Sequence, residues 1–369
     1  MPSLRTSLAG GGEEKVQKCH TRGAALRPRR APGGAFVPEL RFNVFTREWV
    51  VISTERAKRP DEFVRKSGAR PALPAFSPQC PFCPGNEHLT PPETYVLKDG
   101  PAGWRVRVTP NKFAALASEG VREFSIHGVQ RKVTGVGIHE VIVETPDHSK
   151  TLATLTDAEV ESVVGAYLNR LEAASKDPRI EHVTLFKNHG EAAGTSLEHP
   201  HSQLIGTPVI TNQFRDRMIT SLRHFDEYGE CLFCRVLNVE LAERVRTVLE
   251  NDHFVAFVQY ANLTPFSLLI MPRRHMPCFT EMNDAEAQSF AKTLRRTLAK
   301  LYHGLKNPDY NFIVRTAPAE YARVRYFHWY ISVIPRLTRM AGFEMGSGMF
   351  INTSLPENDA AFLRGVEAE

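Results

Sequence analysis

Two stretches of the chain follow one plan: residues 137–160 read GIHEVIVETPDHSKTLATLTDAEV and residues 267–287 read SLLIMPRRHMPCFTEMNDAEA. Each has an apolar run typical of a β-strand, then a proline, a histidine and a helix start. The histidine, His148 in the first stretch and His275 in the second, precedes a glutamate by eleven residues in both. This agreement in order and spacing predicts an internal duplication.

Both stretches end on the signature of a helix N-terminus. Thr156 with Glu159, and Asn283 with Glu286, have the spacing of a capping box. The residues that follow are apolar at helical intervals, which predicts one long amphipathic helix in each half.

Further strands complete each copy. After the helices come HVTLFKN at 182–188 and YNFIVRT at 310–316, followed by EHPHSQLIGTP at 198–208 and FHWYISVIPR at 327–336. The sequence therefore predicts an α+β fold made by tandem duplication of one unit, with antiparallel sheets and a long helix packed on each. We expect residues 39–212 to form the N-terminal half and residues 213–369 the C-terminal half.

The bulk composition is that of an ordinary globular protein. The chain has 369 residues, 42% hydrophobic content and a net charge of +5. Much of the positive charge lies in residues 1–38, which predict either a disordered tail or an organelle-targeting segment on an otherwise cytoplasmic protein. The rest is near neutral and holds no apolar run of membrane-spanning length, so we expect neither a nucleic-acid partner nor a membrane partner.

Cysteines and histidines recur at matching places in the two halves. Pairs of the form Cys-x-x-Cys more often bind metal than form disulfides in a chain of this length. Zn²⁺ favours four tetrahedral nitrogen and sulfur ligands. The duplication predicts two zinc sites, Cys80, Cys83, His148 and His199 in the first half and Cys231, Cys234, His275 and His328 in the second. The alternatives are exposed reduced thiol pairs, a surface His275 and a core His328.

His199-Pro200-His201 is the sharpest feature of the sequence. Residues i and i+2 of a strand share a face, so His199 can bind metal while His201 faces a substrate. A neutral imidazole is a good nucleophile toward phosphorus, and Ser196 and Gln203 offer uncharged donors to a phosphoryl group. The alternative is that both histidines serve only as metal ligands.

At this point the chain resembles the galactose-1-phosphate uridylyltransferase family of the histidine-triad superfamily, including its ADP-glucose phosphorylase branch. The resemblance covers roughly residues 38–356. It is carried by RFNVFTREWVVISTERAKRP, CPFCPGNE, NKFAAL, PDHSKTL, NHGEAAGTSLEHPHSQ and GFEMGSGMFIN.

The resemblance implies a ping-pong reaction through a covalent nucleotidyl-histidine at His201. It also implies substrate contacts: phosphoryl oxygens at Ser196 and Gln203, sugar-nucleotide phosphates at Arg56, Arg59 and Asn188, the nucleoside at Asn111, and hexose hydroxyls at Glu344. By analogy with the family, we expect a homodimer. The iron-binding His-x-His of some members is missing from FHWYISVIPR, so we expect no iron.

Three functions fit these features. The first is a UDP-glucose–hexose-1-phosphate uridylyltransferase, and the alternative is an ADP-glucose phosphorylase with inorganic phosphate as acceptor. The third is a zinc-stabilised nucleotide-binding protein without turnover, against which His201 and Gln203 argue. Lys112 and Phe343 depart from the residues of some uridylyltransferases, which leaves the base and the acceptor open.

Overall fold

A computed structural model of the chain describes residues 38–53, 62–63, 72–98 and 103–368. The basic segment before residue 38 and the predicted phosphate ligands Arg56 and Arg59 lie outside these residues.

The helices and strands are, in chain order, β1 (Glu39–Phe42), β2 (Trp49–Ile52), β3 (Tyr95–Lys98), β4 (Trp104–Pro110), β5 (Phe124–His127), β6 (Gln130–Val133), β7 (Ile138–Val143), α1 (Asp157–Ser175), β8 (His182–His189), β9 (His201–Thr207), α2 (Asn212–Tyr228), α3 (Leu232–Glu243), β10 (Thr247–Glu250), β11 (Phe254–Val258), β12 (Leu268–Pro272), α4 (Asp284–Gly304), β13 (Tyr310–Arg315), β14 (Tyr330–Pro335), α5 (Gly342–Ser347), β15 (Phe350–Asn352) and α6 (Pro356–Gly365).

The predicted duplication is visible in one sheet of ten strands. Its order is β10-β11-β12-β14-β13-β8-β9-β7-β4-β3, so each half supplies five strands in the same relative order. The halves meet where β8 pairs antiparallel with β13, with Phe186 opposite Ile313. The α+β fold with antiparallel pairing is confirmed, and the two half-sheets are continuous because these two strands pair edge to edge.

Both predicted capping boxes are present. The Thr156 hydroxyl accepts a hydrogen bond from the Glu159 amide, and the Glu159 carboxylate accepts one from the Thr156 amide. Asn283 and Glu286 do the same at the start of α4. The two helices contact each other and bury their apolar stripes on one face of the sheet, where they form the largest core.

The opposite face of the sheet is covered differently in the two halves. In the second half, α2 and α3 pack on β11, β12 and β14 through a second apolar cluster that includes Phe214, Phe233 and Tyr330. In the first half, the loop that carries Cys80 and Cys83 packs on β4 and β7. That loop covers less of the sheet than a pair of helices would, and a cleft remains beside β8 and β9.

Gly137, directly before β7, lies where the neighbouring atoms leave no room for a side chain. A Cβ atom at this position would lie 2.3 Å from the Gly206 carbonyl oxygen and 2.6 Å from Leu116 Cδ1. Because one neighbour is backbone, we expect Gly137→Ala to lower the free energy of unfolding by about 1–3 kcal/mol in urea denaturation. Gly165→Ala is the matched control, since its Cβ meets nothing within 4 Å on α1. It should stabilise by about 0.5–1 kcal/mol, and equal effects of both substitutions would contradict this account of the packing.

Candidate active site and metal centres

The first predicted metal group comes together as expected. One ligand atom from each of Cys80, Cys83, His148 and His199 lies within 4.8 Å of the other three, and all four residues are buried. The Cys83 sulfur is 3.4 Å from His148 Nδ1 and 3.6 Å from His199 Nδ1, and the two Nδ1 atoms are 3.3 Å apart. Ligands placed tetrahedrally about 2.0–2.3 Å from a common centre lie about 3.5 Å apart. The group can therefore hold a tetrahedral metal ion.

The protonation of the His199 ring suits a ligand. Its Nε2 atom lies 2.8 Å from the Thr145 carbonyl oxygen, which can only accept a hydrogen bond, so the hydrogen sits on Nε2. The Nδ1 lone pair then points at Cys83 and His148. Burial lowers the pKa of His199 to about 3, so the ring is uncharged at neutral pH.

The second group is less complete. Ligand atoms of Cys231, Cys234 and His275 lie within 4.8 Å of one another. The predicted fourth member, His328, is outside that mutual set, although its Nδ1 lies 3.3 Å from the Cys234 sulfur. Cys231 is the N-cap of α3, so this pair lies at a helix start rather than in a loop between strands. The three mutual ligands can hold a metal ion, with His328 adjacent.

His201 is the first residue of β9, and the backbone carbonyl of His199 orients its ring. Its Nδ1 atom lies 2.8 Å from the His199 carbonyl oxygen, which places the ring hydrogen on Nδ1. No residue in the described part of the chain forms a hydrogen bond with Nε2, and His201 lines a cleft of about 600 Å³. Burial lowers the pKa of His201, so the imidazole is neutral at neutral pH. A neutral ring with a free Nε2 lone pair at a cleft can act as a nucleophile.

The cleft also contains two of the predicted neutral partners. Asn188, on β8, and Ser196, in the loop before β9, both line it. The Asn188 side-chain oxygen accepts a hydrogen bond of 2.7 Å from the Asn311 amide on β13. A residue of the second half therefore orients a cleft residue of the first.

Gln203 and Asn111 converge on a residue that sequence reasoning missed, His139 on β7. The Gln203 Oε1 atom lies 2.9 Å from His139 Nε2, and the Asn111 amide nitrogen lies 3.0 Å from the same atom. The Ala115 backbone amide donates to His139 Nδ1, which puts the ring hydrogen on Nε2 and directs it to Gln203. Gln203 shares the His201 face of β9, because residues two apart on a strand point the same way.

Glu344 lies elsewhere in the chain. It is on α5, where its carboxylate accepts a hydrogen bond of 2.9 Å from the Ala341 amide. It lines a different cavity, in the second half, and not the cleft beside His201. Within one chain, Glu344 therefore does not lie beside the other predicted site residues.

Behind His201, on the helix-covered face of the sheet, is a buried polar network that sequence reasoning also missed. The Lys187 ammonium group donates to the Glu144 carboxylate at 2.6 Å and to the His201 carbonyl oxygen at 3.0 Å. Tyr167 and Ser202 both donate hydrogen bonds to the other Glu144 oxygen. Burial lowers the pKa of Lys187, although the Glu144 charge acts in the opposite direction. Lys187 lies within β8 and Glu144 directly follows β7, and no local pattern in the sequence pairs them.

Comparison with known proteins agrees with this geometry. The model for the N-terminal domain of galactose-1-phosphate uridyl transferase matches residues 34–211, and the model for its C-terminal domain matches residues 213–364. The chain is 33% identical to the ADP-glucose phosphorylase of Arabidopsis thaliana, over 89% of this chain and 93% of that protein. It is 29% identical to the galactose-1-phosphate uridylyltransferase of Thermotoga maritima, over 90% and 99% respectively.

Solved structures give the same result. The crystal structure of an ADP-glucose phosphorylase from Arabidopsis thaliana with bound ADP-glucose superposes with a TM-score of 0.75 at 29% identity, covering 90% of this chain and all of the other. A uridylyltransferase structure superposes with a TM-score of 0.68 at 27% identity, covering 89% and 97%. Fold and site thus define a nucleotidyltransferase. The chain belongs to the galactose-1-phosphate uridyl transferase family, as its motifs predict.

In the part of the chain that the structure describes, no helix is both long enough and apolar enough to cross a membrane.

The buried pair behind His201 yields a stability prediction. Lys187 and Glu144 are almost fully buried, at 1% and 0% side-chain exposure. Lys187→Met leaves the Glu144 charge buried without its counter-ion, so we expect a loss of about 3–5 kcal/mol in the free energy of unfolding. Adding Glu144→Gln should restore part of that loss, because no unpaired charge then remains. Urea denaturation of the four proteins of this double-mutant cycle measures the coupling.

Lys176→Met is the matched control for that cycle. Lys176 pairs with Glu172 on the surface of α1, at 71% and 62% side-chain exposure. Its removal should change the stability by less than about 0.5 kcal/mol. Additive effects of Lys187→Met and Glu144→Gln would contradict a coupled buried pair.

Proposed function

We propose that this nucleotidyltransferase works by a ping-pong mechanism in which His201 carries the nucleoside monophosphate, with ADP-glucose as donor and inorganic phosphate as acceptor. His201 Nε2 attacks the α-phosphorus of ADP-glucose, the bond from that phosphorus to the bridging oxygen breaks, and glucose 1-phosphate leaves. A phosphate oxygen then attacks the adenylylated histidine, the P–N bond breaks, and ADP leaves with His201 restored. The supporting observation is the free, neutral Nε2 atom at the cleft.

The other cleft residues have proposed roles that follow from their chemistry. Asn188 and Ser196 line the cleft and offer hydrogen bonds to the non-bridging phosphoryl oxygens. Gln203, held by His139, would do the same from the His201 face of β9. Since His139 directs its hydrogen to Gln203, the Asn111 amide keeps its hydrogens for the nucleoside. We assign Arg56 and Arg59 to the sugar-nucleotide phosphates on the resemblance of their segment alone.

The choice of ADP-glucose over UDP-glucose rests on the relatives. The 33% identity is to an ADP-glucose phosphorylase, and the structure superposed at TM-score 0.75 holds ADP-glucose. Lys112, which departs from some uridylyltransferases, is compatible with a different base. The second candidate is the UDP-glucose–hexose-1-phosphate uridylyltransferase, favoured by a 29% identity that extends over 99% of the Thermotoga maritima enzyme.

We propose zinc for both metal groups, because cysteine sulfur and histidine nitrogen are the ligands that zinc favours in structural sites. In the first group, a bound metal would add folding free energy by joining the cysteine loop to the segment after β7 and to the residue pair before β9. In the first group, Cys80, Cys83, His148 and His199 would fill all four positions and leave none for substrate. The proposed role is therefore structural. We assign the nucleophilic attack on phosphorus to His201.

A homodimer is part of the proposal. Glu344 lines a different cavity from His201 within one chain, and the expected hexose contact is therefore assigned to a second copy. A second copy that presents its Glu344 to the cleft would supply the missing contact with the sugar hydroxyls. In this arrangement residues 39–212 carry the nucleophile and residues 213–369 carry Glu344.

His201→Ala tests the nucleophile. Loss of a covalent nucleophile should reduce exchange of label between ADP-glucose and glucose 1-phosphate by on the order of 10⁴-fold. The zinc content should stay unchanged, whereas His199→Ala should lower it by one ion per chain. His127→Ala, at an exposed position of β5, is the control and should leave exchange intact. Exchange by His201→Ala within tenfold of wild type would refute the covalent role.

The base preference needs a separate experiment. We expect ADP-glucose labelled at the α-phosphate to transfer label to the peptide containing His201 at least roughly tenfold faster than UDP-glucose labelled in the same way. Quenched-flow labelling followed by peptide mapping gives both rates. Faster labelling by UDP-glucose would select the uridylyltransferase. Labelling by neither donor would argue against the covalent intermediate itself.

A further inference from the structure

The two halves of the chain meet beside His201, and a buried asparagine of the second half lies at that junction. Strands β8 and β13 pair with Asn188 directly opposite Asn311. Asn188 lines the His201 cleft, whereas Asn311 is only 6% exposed. A buried side-chain amide needs partners for both its oxygen and its nitrogen, so the neighbours of Asn311 decide which way this amide points.

Those neighbours allow one orientation of the Asn311 amide. The Arg336 guanidinium, directly after β14, donates a hydrogen bond to the Asn311 side-chain oxygen. The Ala193 carbonyl oxygen accepts one of 2.9 Å from the Asn311 side-chain nitrogen. Because a guanidinium can only donate and a carbonyl can only accept, turning this amide over would break both bonds.

The orientation of Asn311 in turn fixes that of Asn188. The Asn311 nitrogen also donates to the Asn188 side-chain oxygen, at 2.7 Å. Turning the Asn188 amide over would place two N–H donors against each other. Among the described residues its side-chain nitrogen has no acceptor, and it lies beside Gly194, 3.9 Å from the position of an added Cβ. Asn188 therefore keeps its two amide hydrogens for a ligand in the cleft.

The same part of the second half also holds the loop between β8 and β9. The Asp309 carboxylate accepts a hydrogen bond from the Ala192 amide, and Asn311 binds the carbonyl of the next residue, Ala193. Gly194 follows with a φ of +88°, a conformation that favours glycine. These contacts fix the backbone beside Asn188 before any substrate is bound.

The fold itself does not require this pair of amides. By strand register, Arg315 takes the place of Asn188 in the second half, and Thr184 takes the place of Asn311. The paired amides are therefore found on the His201 side of the junction and not at the equivalent place on the other side.

From these contacts we propose that Asn311 is a positioning residue for nucleotidyl transfer. It fixes Asn188 as a hydrogen-bond donor to a non-bridging oxygen of the transferring phosphoryl group, so that the second half completes the site at which His201 reacts. An Asn188 amide turned the other way would present its oxygen to an anionic group and repel it. Donors that are oriented before the reaction stabilise developing charge without reorganisation. The inference rests on the proposed function, in which Asn188 contacts the phosphoryl group.

Asn311→Asp tests this role with almost no change of shape. The new carboxylate still accepts from Arg336 but cannot donate, so Asn188 should turn its nitrogen toward it and its oxygen toward the cleft. We expect the rate of transfer from ADP-glucose to phosphate to fall by roughly 100-fold. The Kd for AMP, measured by isothermal titration, should rise by roughly 10-fold or more. Asn238→Asp, at an exposed position of α3, is the control for the added charge and should change neither.

A double-mutant cycle with Asn188→Ala separates positioning from a general structural effect. Asn188→Ala alone should lower the rate and raise the Kd by similar factors. In its background, Asn311→Asp should cost less than about threefold more, because the donor that it misdirects is already absent. Asn311→Ser, which removes the amide without adding a charge, gives the same cycle if Asn311→Asp does not fold.

Two results would overturn the proposal. One is a wild-type rate and a wild-type Kd for AMP in an Asn311→Asp protein that circular dichroism shows to be folded. The other is a fully multiplicative loss in the double variant, which would mean that Asn311 acts independently of Asn188. UMP and UDP-glucose replace AMP and ADP-glucose if the labelling experiment selects the uridylyltransferase. Because binding of a nucleotide needs no covalent step, a failure of the His201 mechanism would leave the binding cycle readable.

Discussion

His199 fixes the geometry of the site through three separate bonds. Its ring nitrogen Nδ1 faces the Cys83 sulfur, its Nε2 donates to the Thr145 carbonyl, and its own carbonyl accepts from His201 Nδ1. One residue thus connects the metal group, the loop after β7 and the proposed nucleophile. Because the last bond occupies Nδ1 of His201, it leaves Nε2 as the nitrogen available at the cleft. Disturbing the metal group should therefore also displace the ring of the proposed nucleophile.

Comparison of equivalent positions in the two halves separates residues that the fold requires from residues found only around His201. The polar network behind His201 consists of Glu144, Tyr167, Lys187 and Ser202. By strand register and helix position, the second half has Pro272, Leu294, Val314 and Ile331 in their places. Apolar residues at these four positions are therefore sufficient for the helix to pack on the sheet in the second half. Since a buried ion pair is seldom better for stability than apolar residues of similar size, the network fits a role in holding the His201 strand.

The sequence predicted what local patterns control. Both capping boxes follow from short-range spacing, whereas the duplication and the first Cys/His group follow from residue types that recur in the same order in both halves. This recurrence makes each signal more specific than it is alone. The continuous sheet depends on edge pairing of β8 with β13, which no local pattern encodes. His139 and the Lys187–Glu144 pair were missed because their partners lie far along the chain. The resemblance assigned Glu344 to the hexose, and the structure adds that it lines a different cavity from His201 within one chain.

The hydrogen bonds around Gln203 bear on whether this residue or its neighbour could help water attack the proposed intermediate. Water must lose a proton to attack phosphorus efficiently and so needs a general base, whereas a phosphate dianion already carries a nucleophilic oxygen. Gln203 is uncharged and cannot accept that proton. His139 lies beside it, but its Nδ1 accepts from the Ala115 amide and its Nε2 hydrogen is directed to Gln203. Neither ring nitrogen is then free to act as a base. In the proposed mechanism, Gln203 and His139 would therefore offer a hydrogen bond to the phosphoryl group and no general base for hydrolysis of the adduct.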